Sequence, residues 1–211
     1  MTRPETMSQA LGIFGGSFDP IHLGHLWIAE AAYEQLPIDQ VRWVPAATSP
    51  LKPFGPVASN SQRLTMLRLA VSGQSGHRIE TYELDRDGVS YTVDTLAYLR
   101  DQFPDHTLFF IIGADSLASF AQWKDPDRLL QMCTLAVVRR GGMPPPSYDI
   151  LQDFASPEKV QACREAEIVM PQIEISSREL RRRVARSQSI RFHVPHSVEA
   201  FIRNENLYRQ D

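Results

Sequence analysis

Apolar runs and helix-period segments alternate along almost the whole chain. Residues 10–14 form an apolar run that reads as a buried strand and stops at Gly15-Gly16. A helix-period pattern begins near His22, with Leu26, Ala29, Tyr33 and Leu36 recurring on one side. A second strand is expected at 40–45, a proline-rich loop at 46–56, and a helix at 61–71 with Gly73 as its stop. Residues 78–84 are strand-like and 85–88 make a turn. A helix then opens at 91–95, with Thr92 as its expected N-cap, and runs to about residue 103.

Residues 107–112 are the clearest strand, apolar and β-rich, and are expected to lie centrally with both faces covered. A helix holding Leu117, Phe120 and Trp123 follows, residues 129–132 continue in helical style, and 134–138 is another buried strand. One or two polar helices are expected over 149–165, a last strand at 168–170 and a helix from Ser176. A short closing helix carries Val198, Phe201 and Ile202, and the end at Leu207-Tyr208 reads as packing rather than chemistry. Strands alternating with helices imply parallel βαβ units, hence an α/β fold. No repeat, long linker or composition break divides residues 1–211, so one domain is expected.

Composition narrows the function classes. A 43% hydrophobic, 22% charged chain is ordinary for a soluble globular protein, and a net charge of −3 argues against a wholesale nucleic-acid binder. Any anion site must therefore be local. Cys133 and Cys163 form no CxxC and read as buried thiols of a reducing cytoplasm. Residues 1–9 are polar and read as a flexible tail rather than a signal peptide. The longest apolar stretch, 108–114, is far short of the ~18 residues a membrane helix needs, so a cytoplasmic protein without a membrane span is expected.

The chemistry concentrates at residues 12–26, where a strand runs through a glycine-rich turn into a helix opening with His22 and His25. Adjacent glycines permit positive φ and close approach of a ligand, and a helix N-terminus offers unpaired N–H donors to phosphate. His25 and Leu26 follow Gly24, so the segment is not a P-loop, and it does not match G-x-G-x-x-G either. Two histidines at i, i+3 could ligate a metal, but no cysteine or acid stands at a useful spacing to complete a zinc site. Further along, Lys52 is a solvated loop lysine or a held functional one, and Thr92 a cap or a ligand. Asp115, after Gly113, is a helix-start acid or the acid of a ribose corner.

A second signal lies at Ile175-Ser-Ser-Arg-Glu-Leu-Arg181. Ser176 and Glu179 have capping-box spacing, and Arg178, Arg181 and Arg182 fall at i, i+3, i+4. Six arginines and one acid occur between Ser176 and Arg191. Serine hydroxyls, free N–H groups and guanidinium forks make a polyphosphate clamp; a solvated cationic face or a nucleic-acid contact remain alternatives.

Gly15-Gly-Ser-Phe-Asp-Pro-Ile-His-Leu-Gly-His25 resembles the signature of the nucleotidylyltransferase superfamily, with its [HT]-x-G-H element, and residues 175–181 resemble its I-S-S-T-x-[IL]-R signature. Within that superfamily the chain is similar to the bacterial nicotinate mononucleotide adenylyltransferases. Pro50-Leu-Lys52, Ser90-Tyr-Thr-Val-Asp-Thr-Leu96, Gly113-Ala-Asp115 with Trp123, Arg140-Gly141, and Val194-Pro195 to Leu207-Tyr208 carry that likeness. The resemblance implies a Rossmann-like parallel sheet with helices on both faces. It also implies transfer of an adenylyl group from ATP to nicotinate mononucleotide, giving deamido-NAD and pyrophosphate, with Mg²⁺ held by phosphates rather than by protein ligands.

By the same resemblance, His22, His25 and Arg181 are catalytic. Phe14, Gly15, Gly16, Gly113, Asp115, Ser176 and Ser177 join them in binding ATP, and Ser17, Lys52, Thr92, Trp123 and Arg140 bind the mononucleotide. Arg178 departs from the usual Thr or Ser, and residues 141–146 depart from R-P-G-Y. A sister transferase acting on phosphopantetheine or an alcohol phosphate, and a nucleotide-binding module without turnover, are the competing expectations.

Overall fold

The computed structural model describes residues 9–48, 50, 55–86, 88–140 and 142–209, with the Arg140 side chain outside this set. Six parallel strands form one sheet in the order β3-β2-β1-β4-β5-β6. They are β1 (Ala10–Gly16), β2 (Gln40–Pro45), β3 (His77–Ile79), β4 (Thr107–Gly113), β5 (Thr134–Arg140) and β6 (Ile168–Met170). The helices are α1 (Leu23–Gln35), α2 (Asn60–Val71), α3 (Tyr82–Asp85), α4 (Thr92–Gln102), α5 (Ala114–Ala118), α6 (Pro126–Met132), α7 (Pro157–Glu165), α8 (Ser177–Ala185) and α9 (His196–Asn204).

Both faces of the sheet are buried, which explains why the strands are apolar runs instead of alternating patterns. Leu11, Ile13, Leu108, Phe110, Ile112, Leu135 and Val137 point to one side, where residues of α4, α6 and α7 cover them. Phe14, Ile111, Ala136 and Val138 point to the other, under residues of α1, α2, α8 and α9. The strand order reverses between β1 and β4, and in open α/β sheets the crevice beyond the strand ends at that reversal is where ligands bind.

Three local expectations change. Of the strand-like 78–84 only 78–79 joins the sheet, in β3; 82–85 is a helical turn, closed by Leu84 and Asp85 N–H groups on the Thr81 carbonyl at 2.8 and 3.0 Å. The turn swings Glu83 inward to accept a 2.6 Å bond from Thr95, a long-range contact that overrides the local pattern. Tyr91 occupies the N-cap of α4, so Thr92 is its first helical residue rather than its cap. Gly15 and Gly16 belong to β1 and are not at positive φ; the left-handed residue of the turn is Phe18, at φ 46°. The value of Gly16 here is room, not conformational freedom.

Candidate active site

β1 delivers its glycines to the reversal point, and residues 17–22 turn the chain into α1. At Gly16 a Cβ would lie 2.9 Å from the Phe18 ring, closer than carbon atoms pack, so only hydrogen fits beneath that ring. Phe18 is itself buried, edge-on to His25 at 5.2 Å and to Trp43 at 5.4 Å.

His22 caps α1 and stacks on His25, ring centroids 3.7 Å apart. The His22 N–H donates to His25 Nδ1 at 3.3 Å, which places the proton of a neutral His25 on Nε2. Gly24 allows the stack: a Cβ there would press the His22 ring at 3.1 Å and approach Ile175 at 3.8 Å. His22 is buried, and desolvation lowers its pKa from 6.5 to about 4, so it is neutral near pH 7. Its Nδ1 has no hydrogen-bond partner among the described residues.

The second motif folds onto the first. Ser177 Oγ donates to the Pro20 carbonyl at 2.9 Å, and Arg181 Nη1 to the Asp19 carbonyl at 2.5 Å, across 157 and 162 positions of sequence. The peptide between Asp19 and Pro20 is cis. From the other side Arg63, fully buried, donates to the Ser17 carbonyl at 2.6 Å and to Asn60 Oδ1 at 2.7 Å. The Asp19 carboxylate takes the N–H groups of Val57 at 2.7 Å and Ala58 at 3.2 Å. The carbonyls of Ser17, Asp19 and Pro20 are thus each gripped by a side chain from α2 or α8.

Ser176 caps α8, accepting from the Glu179 N–H at 3.2 Å. The reciprocal half of the capping box is replaced by an ion pair, as the Glu179 carboxylate meets Arg182 at 2.5 Å. Arg182 is therefore committed outward, so the expected three-arginine face supplies Arg181 to the glycine turn while Arg178 stays exposed.

Two cavities open at the strand ends and share Gly113. One, of about 490 Å³, is lined by Phe14, Gly15, Gly16, Ser17, Thr92 and Trp123, so most of the expected mononucleotide residues converge there. The Trp123 Nε1–H is buried with no partner among the described residues. The other cavity, of about 630 Å³, contains Asp115 with Ile28, Met143 and a wall of Pro144, Pro145 and Pro146. His22, His25, Ser176, Ser177 and Arg181 line neither cavity. Lys52 lies outside the described residues, and of Arg140 only its place at the end of β5 is described.

This arrangement coincides with a known family. A cytidylyltransferase-like model matches residues 13–183. A probable nicotinate-nucleotide adenylyltransferase of Rhodopirellula baltica is 60% identical, with 99% of each chain covered. The chain belongs to the nicotinate-nucleotide adenylyltransferase family. Another relative so named, from Thermus thermophilus, is 43% identical over 94% of this chain and 99% of its own. In structure the family fold recurs at a TM-score of 0.68 and 18% identity in Plasmodium falciparum nicotinic acid mononucleotide adenylyltransferase complexed with NaAD, covering 95% of this chain and 97% of that one.

Four residues of this family member were not anticipated as site residues. Arg63 and Tyr208 bind the loop 17–20, and Asp19 within it accepts from Val57, through long-range bonds that no local spacing announces. Glu83 lines the smaller cavity, and burial raises its pKa, opposed by bonds from Thr95 and Ser90. Two of these were within reach: Asp19 sits inside the first signature and Tyr208 in the closing Leu-Tyr pair.

Proposed function

We propose that this enzyme transfers the adenylyl group of ATP to nicotinate mononucleotide, releasing pyrophosphate and forming deamido-NAD. The observation that carries the reading is the meeting of two sequence-distant phosphate motifs on one loop, beside a cavity with an unpartnered tryptophan N–H. A phosphate oxygen of the mononucleotide attacks the α-phosphorus in line, the bond to the bridging α–β oxygen breaks, and pyrophosphate leaves with that electron pair. The nucleophile is already anionic, so the enzyme needs no covalent residue and acts by alignment and charge stabilisation.

In this reading His25 offers its Nε2–H to the phosphates, and His22, neutral at rest, gains a proton more readily once a polyanion lies beside it. Ser176, Ser177 and the N–H groups opening α8 take the outer phosphates with Arg181. Trp123 meets the pyridine ring, Ser17 and Thr92 the rest of the mononucleotide, and Asp115 the ribose of ATP; Lys52 and Arg140 are assigned to the mononucleotide as well.

Mg²⁺ is assigned to the nucleotide phosphates and water, where it would neutralise charge. The donor set suits that: no group of three His, Cys, Asp or Glu side chains among the described residues could hold a metal, and the Asp19 carboxylate already accepts three hydrogen bonds. No helix among the described residues is long and apolar enough to cross a membrane. The buried free thiols of Cys133, pushed up to about 12 by desolvation, and Cys163 support a cytoplasmic setting.

Pyrophosphate release from ATP with a panel of phosphate acceptors tests the reaction. Nicotinate mononucleotide is expected to serve far better than phosphopantetheine or alcohol phosphates, and preference for one of those would overturn the assignment. In a folded His25→Ala protein turnover should fall by about 10²-fold, the scale of losing one donor to a transition-state oxyanion.

A further inference from the structure

The segment after α9 reaches the loop that joins the glycine turn to α1. We propose that Tyr208 is a positioning residue for adenylyl transfer, acting through Asp19 on Arg181; this rests on the function assigned above.

Asp19 is 2% exposed, and a carboxylate so buried must have its lone pairs occupied. Val57 N–H serves Oδ2, while Ala58 N–H and the Tyr208 hydroxyl, the latter at 2.7 Å, serve Oδ1. Arg181 Nη1 stands 3.5 Å from Oδ2, longer than a charge-assisted hydrogen bond, and is seated instead on the Asp19 carbonyl. The tyrosine thus satisfies Oδ1 and lessens the demand of the carboxylate on the guanidinium that stands beside Oδ2. With the hydroxyl present, Arg181 keeps 28% of its side chain exposed and donors to spare for a triphosphate. Remove the hydroxyl and the pair tightens at the expense of the ligand.

The backbone supports a directed role for the ring. Asn206 and Tyr208 both take positive φ, 51° and 62°, a left-handed conformation that is uncommon for a tyrosine. Packing alone would not demand a hydroxyl on a buried carboxylate, since phenylalanine buries the same ring. Burial, and then Asp19, push the phenol pKa upward, so the hydroxyl stays a donor throughout the working range.

The test is calorimetric titration of ATP together with pyrophosphate-release kinetics for wild type, Tyr208→Phe, Arg181→Gln and the double variant. Tyr208→Phe should weaken ATP about tenfold and lower kcat/KM for ATP equally, leave KM for the mononucleotide unmoved, and have less than a ~twofold effect in the Arg181→Gln background. Unchanged ATP affinity in Tyr208→Phe, or an undiminished loss in the Arg181→Gln background, overturns the proposal. Failure of wild type to use nicotinate mononucleotide would sink the assigned reaction instead, while the ATP titration still decides the role of Tyr208.

Discussion

Removing the imidazole of His22 tests whether the residue at the head of α1 is held neutral by burial. The unfolded chain binds a proton there near pH 6.5 and the folded chain only near 4. Between those values the unfolded state carries more protons, so the contribution to stability is complete above pH 6.5 and drains away as the pH falls toward 4. At 1.36 kcal/mol per pH unit the gap caps the loss at ~3 kcal/mol, of which ~2.5 kcal/mol is reached by pH 4.5. His22→Gln keeps a polar side chain of similar size and cannot titrate.

The assay is urea denaturation of both proteins, without nucleotide, at pH 7.5 and 4.5. Wild type should lose ~2.5 kcal/mol more than the variant between the two conditions. The subtraction removes the contributions of His77, of the same sign, and of Glu83, of the opposite sign, whose shifts are common to both proteins. Equal losses in the two proteins would refute the reasoning, because His22 would then titrate alike folded and unfolded.

The remaining perturbations probe the supports of the site. Gly16→Ala forces the Phe18 ring off His25, so denaturation should show a cost of ~1–3 kcal/mol and kinetics a matching fall in kcat. Trp123→Phe should raise KM for the mononucleotide about 5–10-fold while leaving KM for ATP unchanged, as expected of a stacking contact. Arg63→Met strips the Ser17 carbonyl and Asn60 of a buried donor and should cost ~2–4 kcal/mol by thermal or urea unfolding.

Much of the fold was legible in the sequence. A parallel sheet covered on both faces leaves strands as apolar runs, and 107–112 and 134–138 stood out for that reason. Residues 78–84 misled because a short segment at the sheet edge has too little pattern to separate a strand from a helical turn. Thr92 misled because residue type favours threonine as a cap, whereas the cap position falls on Tyr91, which makes no side-chain cap bond.

What the sequence by itself determined is chemical inventory: a glycine turn, two histidines and a serine–arginine helix start, in an order that resembles the nucleotidylyltransferase signatures. What the tertiary structure decided is how those groups are held. Seating Arg181 on the Asp19 carbonyl, gripping Ser17 with Arg63 and bringing Tyr208 back to Asp19 join residues up to 189 positions apart. The reason is physical. Periodicity and motif spacing report interactions within a few residues, whereas the partners of a buried carboxylate or guanidinium are chosen by desolvation, which acts only once the chain has closed around them.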